Sequence, residues 1–248
     1  VLTIVLGSIL QRKILLPKRS AIGKIGLLSL LQTVLQYLFF YIGLAHTTGV
    51  KASIIEAVST FVAILVAGYL FHQETVTSRK MLGCLIGFAG VVLVNVAGSG
   101  MDFHFSPAGD GCILLSTVAY AFSSVCMKRF SQKEDPVMLS GYQFILGGIV
   151  MIACGGAMGG HLKAFTASAA ALLIYMAMIS AVAYSLWGML LKYNPVSKVT
   201  VFGFMNPVIG VILSALLLDE TEALGVSSVL ALGLVCVGIY IVNAKAKE

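Results

Sequence analysis

The chain consists mainly of long apolar blocks separated by short polar connections. A helix needs about 20 residues to cross the ~30 Å hydrocarbon core of a bilayer, and eight blocks approach that length. They cover residues 25–45, 50–71, 81–97, 109–127, 137–158, 168–191, 199–218 and 224–243. Only 10% of the residues are charged, whereas a soluble domain has about 25%. We therefore predict an all-α fold, a polytopic bundle of transmembrane helices.

Lys and Arg are distributed unevenly between the connections. Neighbouring spans joined by short loops are antiparallel, so successive loops lie on alternate sides of the membrane. One side receives 14 of the 16 Lys and Arg residues, and the other receives only Lys51 and Lys163. Because cytoplasmic loops carry the excess of Lys and Arg, the first side and the C-terminus are predicted to be cytoplasmic. The net charge of +6 therefore reflects membrane orientation, which excludes nucleic acid as the expected partner.

Two stretches of the chain resemble each other at an offset of 146 residues. VKASIIEAVSTFVAILVAGYLFHQET at 50–75 aligns with VSKVTVFGFMNPVIGVILSALLLDET at 196–221, and the spans that follow end at Asn95 and Asn243. The loop assignment places Glu74 inside and Glu220 outside, so the two copies run in opposite directions. Many secondary transporters use such inverted repeats for alternating access.

The duplication divides the chain into a first repeat at residues 1–98 and a second at 109–248. The second repeat has five spans, whereas the first has three and an apolar start, VLTIVLGSIL, which is too short to cross a bilayer. We therefore expect a parent protein of ten helices, of which this chain lacks one whole helix and part of another at the N-terminus. We expect the shortened chain, with eight full spans and a partial one, to be inactive.

Several short motifs carry a resemblance to a known family. They are the span ends GYLFHQET and ALLLDET, the stretch NPVIGVILSALLLDE, the glycine-rich spans that follow them, and GYQFILGG at 141–148. On these motifs the chain resembles the drug/metabolite transporter superfamily, specifically its EamA-like ten-helix transporters, over essentially its whole length. The resemblance implies a helix bundle with a central substrate cavity that opens alternately to each side. One departure concerns the NPVIGVILSALLLDE stretch: the first repeat has Thr60 and Phe61 where the second has Asn206 and Pro207.

Glu56 is a carboxylate inside an apolar span. It lies five residues past Lys51, which is ~7.5 Å deeper along a helix. An ionisable residue at that depth is costly and is a functional candidate by default. Three roles are open: Glu56 binds a cationic group of the substrate, takes up a coupling proton, or forms a structural hydrogen bond to a neighbouring helix.

Polar and aromatic residues at helical spacing are further candidates for a substrate cavity. Pro207 cannot donate to the carbonyl of Gly203, which leaves that carbonyl and the Asn206 amide available for a solute. A mixed polar and aromatic lining suits a small amphipathic solute, and the alternative is hydrogen bonding and packing between helices. The candidate set is Glu56, Thr60, Gln32, Gln36, Ser116, Tyr120, Ser124, Tyr184, Trp187, Gly203, Asn206 and Pro207.

These features together predict a secondary transporter rather than an enzyme. It would move a small organic solute (an amino acid, metabolite or drug), with export favoured, across the bacterial cell (inner) membrane by alternating access. The alternatives are an intramembrane enzyme and a non-transporting membrane interaction protein. The sequence shows neither metal-ligand spacing nor a nucleotide-binding motif, so no metal or cofactor is expected. The expected partners are a small-molecule substrate, the lipid bilayer and a coupling proton, and a homodimer is left open.

Overall fold

The computed structural model describes residues 1–99, 106–160, 166–209, 213 and 226–244. All regular secondary structure in these residues is helical, which confirms the predicted all-α fold. The helices are α1 (Leu2–Leu10), α2 (Arg19–Leu44), α3 (Gly49–Ala57, Ser59–Leu65 and Val66–Leu70), α4 (Ser78–Ser99), α5 (Pro107–Phe130), α6 (Pro136–Ala157), α7 (Ala167–Tyr193), α8 (Val196–Ile209) and α9 (Val226–Asn243).

The helices of the described residues match the predicted membrane spans. Five of them, α2, α3, α5, α6 and α7, are long and apolar enough to cross a membrane. Helix α4 has 22 residues and includes the predicted span 81–97, and α9 has 18 residues and covers most of 224–243. Helix α8 covers the first part of the predicted span 199–218, and most of the rest of that span lies outside the described residues. The chain is a polytopic helical membrane protein.

Helices α3 and α8 depart from regular α geometry at matching positions of the predicted repeat. In α3 the break falls at Val58, between its first and second segments. In α8 a 3-10 turn spans Val201–Phe204. Phe204 is the residue that aligns with Val58 at the offset of 146. Pro207 explains the turn in α8, because its missing N–H removes a hydrogen bond to the preceding turn.

The chain divides into two compact units. Unit 1 comprises Val1–Leu38 and Cys126–Asn194, and unit 2 comprises Phe39–Val125 and Pro195–Glu248. Each unit takes segments from both predicted sequence repeats, so the units are not the repeats themselves. Helices α2 and α5 contribute one end to each unit.

In unit 1, α6 packs against α1, α2 and α7 through small residues. A Cβ atom added to Gly141 of α6 would lie 2.5 Å from Cγ1 of Ile4 in α1. One added to Gly147 would lie 2.4 Å from Cβ of Thr33 in α2. Such distances are below van der Waals contact, so glycine is needed for the helices to approach this closely.

The α5–α6 connection ties unit 1 together at the end predicted to be cytoplasmic. Nζ of Lys24 lies 2.6 Å from Oε1 of Glu134, and the hydroxyl of Ser20 donates to the same oxygen at 3.4 Å. Asp135 caps α6 by accepting from the backbone N–H groups of Val137 and Met138 at 2.9 and 3.0 Å. The hydrogen bond from Lys24 holds the pKa of the Glu134 carboxyl below its ordinary value.

In unit 2, α4 packs against α9 with contact between backbones. A Cβ atom at Gly238 would lie 2.6 Å from the carbonyl oxygen of Gly83 and 2.6 Å from the amide nitrogen of Gly87. Farther along the pair, a Cβ atom at Gly90 would lie 2.7 Å from the carbonyl oxygen of Ala231. The glycines of α4 therefore allow this close helix pair.

Glu74 joins the end of α3 to the start of α8 within unit 2. Its carboxylate accepts from the backbone N–H of Ser197 at 2.9 Å and from the Ser197 hydroxyl at 2.5 Å. Lys80 donates to the same carboxylate at 2.7 Å. A negative charge at a helix N-terminus satisfies unpaired N–H groups and interacts favourably with the helix dipole.

Candidate functional site

A polar cluster lies inside the apolar helices of unit 1. Gln32 of α2 and Gln143 of α6 are almost completely buried, at 2% and 0% exposure. Nε2 of Gln143 donates to Oε1 of Gln32 at 2.8 Å. Gln32 sits in a π-helical turn, Ser29–Leu35, a departure from α geometry that is frequent at functional sites.

Aromatic side chains continue this cluster. The hydroxyl groups of Tyr37 in α2 and Tyr184 in α7 are 2.8 Å apart and form a hydrogen bond. The ring of Tyr184 meets the ring of Phe144 edge to face, with centroids 4.7 Å apart. Phe144 follows Gln143 in α6 and Tyr37 lies about one turn after Gln32 in α2, so the amide pair and the aromatic group are adjacent. We call Gln32, Gln143, Tyr37, Tyr184 and Phe144 the amide–tyrosine cluster.

Two amide oxygens beside this cluster accept no hydrogen bond from the described residues. They are Oε1 of Gln36 and Oε1 of Gln143, and both atoms are buried. A buried acceptor without a donor costs free energy, and in lipid that cost is not relieved by bulk water. Such oxygens can accept N–H or O–H groups from a bound solute.

Sequence reasoning named four residues in unit 1, namely Gln32, Gln36, Tyr184 and Trp187. The structure brings Gln32 and Tyr184 into the amide–tyrosine cluster, and Gln36 lies one turn beyond Gln32. Trp187 is half-buried on α7, one turn beyond Tyr184. Whether these four residues bind a substrate stays a prediction.

The cluster also contains residues that sequence reasoning missed. Gln143, Tyr37 and Phe144 were not candidates, although GYQFILGG was noted for its family resemblance. The signal was present for Gln143, since it is an amide inside an apolar span, as Gln32 is. The pairing of the two amides could not be predicted, because helical periodicity does not specify which helices are neighbours.

Thr60 is part of the framework of unit 2. It is 1% exposed, and its hydroxyl donates to the carbonyl of Thr200 in α8 at 3.1 Å. It lies just after the break at Val58, so the hydrogen bond fixes the start of the second α3 segment against α8. Its predicted contact with a solute is not tested by this arrangement.

Glu56, Asn206, Pro207 and Gly203 have open surroundings in unit 2. Glu56 and Asn206 are exposed, and Pro207 and Gly203 are half-buried. Glu56 lies in the last turn before the break in α3, and the other three residues lie at or after the 3-10 turn of α8. A Cβ atom at Gly203 would have no neighbour within 4 Å. The exposed polar side chains of Glu56 and Asn206 therefore lie near the two irregular positions of the repeat.

The α5 candidates Ser116, Tyr120 and Ser124 also belong to unit 2. Ser116 and Ser124 are each 1% exposed, and Tyr120 is half-buried. The Ser124 hydroxyl is buried and has no hydrogen-bond partner among the described residues. All three lie at helical spacing on α5, and their contact with a solute stays a prediction.

Within the described residues, no group of three or more His, Cys, Asp or Glu side chains could hold a metal ion. The candidate residues of the two units carry mainly amide groups, hydroxyl groups and aromatic rings. This chemistry suits hydrogen bonding to a small organic molecule.

Apolar helices with polar side chains buried inside them define the class, a polytopic integral membrane protein. The chain belongs to the EamA-like transporter family, which matches residues 1–96 and 107–244. This match confirms the resemblance drawn from the sequence motifs.

Similar proteins agree with this assignment, and a solved structure shares the fold. The chain is 27% identical over 227 residues to "Uncharacterized transporter YvbV" of Bacillus subtilis, covering 88% of this chain and 71% of that protein. It is 28% identical over 248 residues to an "Uncharacterized transporter" of Archaeoglobus fulgidus, covering 98% and 82%. It is 29% identical over 208 residues to "Uncharacterized inner membrane transporter YedA" of Escherichia coli K12, covering 80% and 65%. A crystal structure with 18% identity has the same fold, with a TM-score of 0.81 over 97% of this chain and 83% of that one.

Proposed function

We propose that the chain is a secondary transporter that moves a small organic solute across the bacterial cell membrane by alternating access. The solute is an amino acid, a metabolite or a drug-like molecule, and the direction is export. Membership of a transporter family supports the class. The excess of Lys and Arg on one set of loops supports a cytoplasmic C-terminus.

The amide–tyrosine cluster is the observation that carries this proposal. Polar groups inside a membrane are expensive and are retained mainly where they face a solute pathway or a partner helix. Gln32 and Gln143 satisfy each other in part, and two oxygens, on Gln143 and Gln36, have no donor in the part of the chain that the structure describes. Solutes with amine, amide or hydroxyl groups would supply that donor, and the rings of Tyr184 and Phe144 would contact their apolar parts.

The inverted repeat supports alternating access. The spans that follow the duplicated stretches align at an offset of 148, so that Gly83 corresponds to Ala231 and Gly90 to Gly238. The contact of Gly83 with Gly238 therefore has a counterpart in the contact of Ala231 with Gly90. Such reciprocal contacts are characteristic of a two-fold relation between two similar elements. Two similar halves of opposite polarity can exchange inward-open and outward-open arrangements of nearly equal energy.

Proton coupling through Glu56 is part of the proposal. A carboxylate within a span is costly when charged, so its protonation state responds to the solvent access that alternating access changes. Glu56→Gln should abolish the pH dependence of transport while solute binding at neutral pH is retained. Normal pH-dependent flux in this variant would exclude Glu56 as the coupling site.

The transport proposal is tested first by binding. A library of amino acids, amines and drug-like molecules is screened for compounds that raise the melting temperature of the purified chain. A ligand present at 100 times its Kd stabilises the folded state by about 2.7 kcal/mol. Active compounds are then tested for flux in proteoliposomes that contain the ten-helix parent protein expected from the repeat.

Variants then locate the site. Gln143→Leu and Tyr184→Phe should each weaken solute stabilisation, because each removes a hydrogen-bonding group from the cluster. Gln132→Leu is the matched control, since Gln132 is exposed in the α5–α6 connection. If all three variants bind the solute as the parent chain does, the amide–tyrosine cluster is not the site. If a solute binds to the ten-helix parent protein without flux, that protein is a non-transporting binding protein.

A further inference from the structure

The connection between α1 and α2 combines exposed basic and exposed apolar side chains. We call residues 11–19, QRKILLPKR, the basic loop. Ile14 and Leu16 are 78% and 69% exposed, although both are large and apolar. The basic side chains of the loop are also exposed, and they are Arg12, Lys13, Lys18 and Arg19. Because α2 begins at Arg19 and is long enough to span the bilayer, the loop lies at the membrane surface.

The loop is held in place by the residue between its two apolar side chains. Leu15 is 3% exposed, and its backbone N–H donates to the hydroxyl of Ser8 in α1 at 3.2 Å. A Cβ atom at Gly7 would lie 2.9 Å from Cδ1 of Leu15, so the leucine packs closely on α1. The N–H of Leu16 donates to the carbonyl of Ile14 at 3.2 Å, a tight turn centred on Leu15. Leu15 is buried in this turn, whereas Ile14 and Leu16 on either side of it are exposed.

Arg12 occupies a backbone conformation that favours glycine. Its φ angle is 50°, and the N–H of Lys13 donates to the carbonyl of Ser8 at 3.1 Å to close the end of α1. This is the geometry of a helix C-terminus that usually has glycine at the left-handed position. Arginine there costs stability that glycine would not, which suggests that its side chain serves another purpose.

The positive charge of the loop is largely uncompensated within the described residues. Arg12, Lys18 and Arg19 form no ion pair there, and Lys13 lies 3.9 Å from Asp135 with 59% of its side chain exposed. Lys18 is partly balanced by Glu134, because its charge helps to lower the pKa of that carboxyl. Lys24, just beyond the loop, differs because it contacts Glu134 at 2.6 Å. The loop therefore presents cations beside apolar groups that point away from the protein.

We propose that the basic loop is a binding surface for anionic phospholipid. Ile14 and Leu16 enter the acyl region, and the charged ends of Arg12, Lys18 and Arg19 bind lipid phosphates at the headgroup level. Clusters of Lys and Arg beside a spanning helix attract anionic lipids in this way. This surface is separate from the amide–tyrosine cluster and does not depend on the transport proposal.

The test measures lipid-dependent stabilisation of the purified chain. Phosphatidylglycerol is titrated into protein held in phosphatidylcholine micelles, and the melting temperature is recorded at low salt. Phosphatidylglycerol should raise the melting temperature of the parent chain, and an equal amount of added phosphatidylcholine should not. Each neutralised basic residue should weaken the apparent affinity about fivefold, since each contributes ~1 kcal/mol near an anionic surface.

Three variants separate a lipid site from general charge. Lys18→Gln combined with Arg19→Gln should lose most of the response to phosphatidylglycerol. Arg12→Gly should melt higher than the parent chain in phosphatidylcholine, because it relieves the left-handed backbone, yet respond less to phosphatidylglycerol. Lys133→Gln is the control, since Lys133 is exposed outside the loop, and it should respond as the parent chain does.

Several outcomes would overturn the proposal. One is a full response to phosphatidylglycerol in the Lys18→Gln and Arg19→Gln double variant. Another is an equal loss of response in the Lys133→Gln control. A third is the same stabilisation by free glycerol phosphate, which would show a phosphate site without a requirement for lipid.

Discussion

The closest contact between α4 and α9 gives a sharp prediction for Gly238→Ala. The added Cβ atom would lie 2.6 Å from the Gly83 oxygen, 2.6 Å from the Gly87 nitrogen and 2.8 Å from the Gly87 α-carbon. All three are backbone atoms, so no side chain can rotate away to make room. Ordinary contact begins at 3.4 Å, which means that the helices must separate by roughly 0.8 Å.

The cost of that separation can be estimated. A gap of about 0.5–1 Å removes a quarter to a half of the dispersion energy between packed atoms. Overpacking of a core typically costs about 1–3 kcal/mol. Alanine is a better helix former than glycine by about 1 kcal/mol, which offsets part of the loss. We expect Gly238→Ala to reduce the free energy of unfolding by about 1 kcal/mol.

Gly233 on the same helix provides the control. A Cβ atom there would have no neighbour within 4 Å, so Gly233→Ala should gain helix propensity without a clash. The free energies of unfolding of the two variants should differ by about 1–3 kcal/mol. Unfolding in mixed micelles, followed by circular dichroism, measures this difference. If Gly238→Ala is as stable as Gly233→Ala, the backbone contact does not limit the approach of the helices.

Three further contacts are tested by substitution. Glu74→Ala should destabilise the chain by about 3 kcal/mol, because it removes a buried carboxylate from its partners. Glu74→Gln should destabilise the chain less. Equal losses of stability in the two variants would contradict the capping role of Glu74. Glu134→Gln should lower stability at neutral pH. Lys24 depresses the pKa of Glu134 in the folded state. The difference in stability between the variant and the parent chain should therefore vanish as the pH falls below 4.5 and through the folded-state pKa of Glu134. A pH-independent difference in stability would refute the ion pair. Gln32→Leu and Gln143→Leu should each destabilise, because each leaves the other amide without its partner. The double variant should cost less than the sum, because it removes both amides, and additive losses in a melting assay would contradict the pairing.

The spans follow from the sequence because lipid leaves the backbone few alternatives. Without water in the hydrocarbon core, a spanning segment must satisfy its own N–H and C=O groups, and long apolar blocks do so as helices. The irregular positions were only partly predictable. Pro207 predicts a departure from α geometry in α8, but nothing in the sequence around Val58 predicts the break in α3. That break depends on contacts such as the hydrogen bond from Thr60 to Thr200, which lie 140 residues apart.

The candidate site was predictable as a list of residues and not as an arrangement. Gln32 and Tyr184 could be named because they are polar residues on apolar helices. Their partners Gln143 and Tyr37 satisfy the same criterion, but helical periodicity identifies a face of one helix and says nothing about the helix beside it. Residues from both predicted repeats meet in the cluster, since α2 belongs to the first and α6 to the second.

The reciprocal contacts of α4 and α9 show how a repeated sequence can specify such pairings. In the alignment of these helices, Gly90 corresponds to Gly238 and Gly83 to Ala231. The three atoms nearest to a Cβ at Gly238 would all be backbone atoms of α4. The three nearest to a Cβ at Gly83 would be two side-chain atoms of α9 and the carbonyl oxygen of Gly238. The second repeat has a methyl group, that of Ala231, where the first has Gly83. Both repeats have glycine at the other position, as Gly90 and Gly238. The closest approach of the two helices is therefore set by the glycine that both repeats share, which fixes the register of α4 against α9.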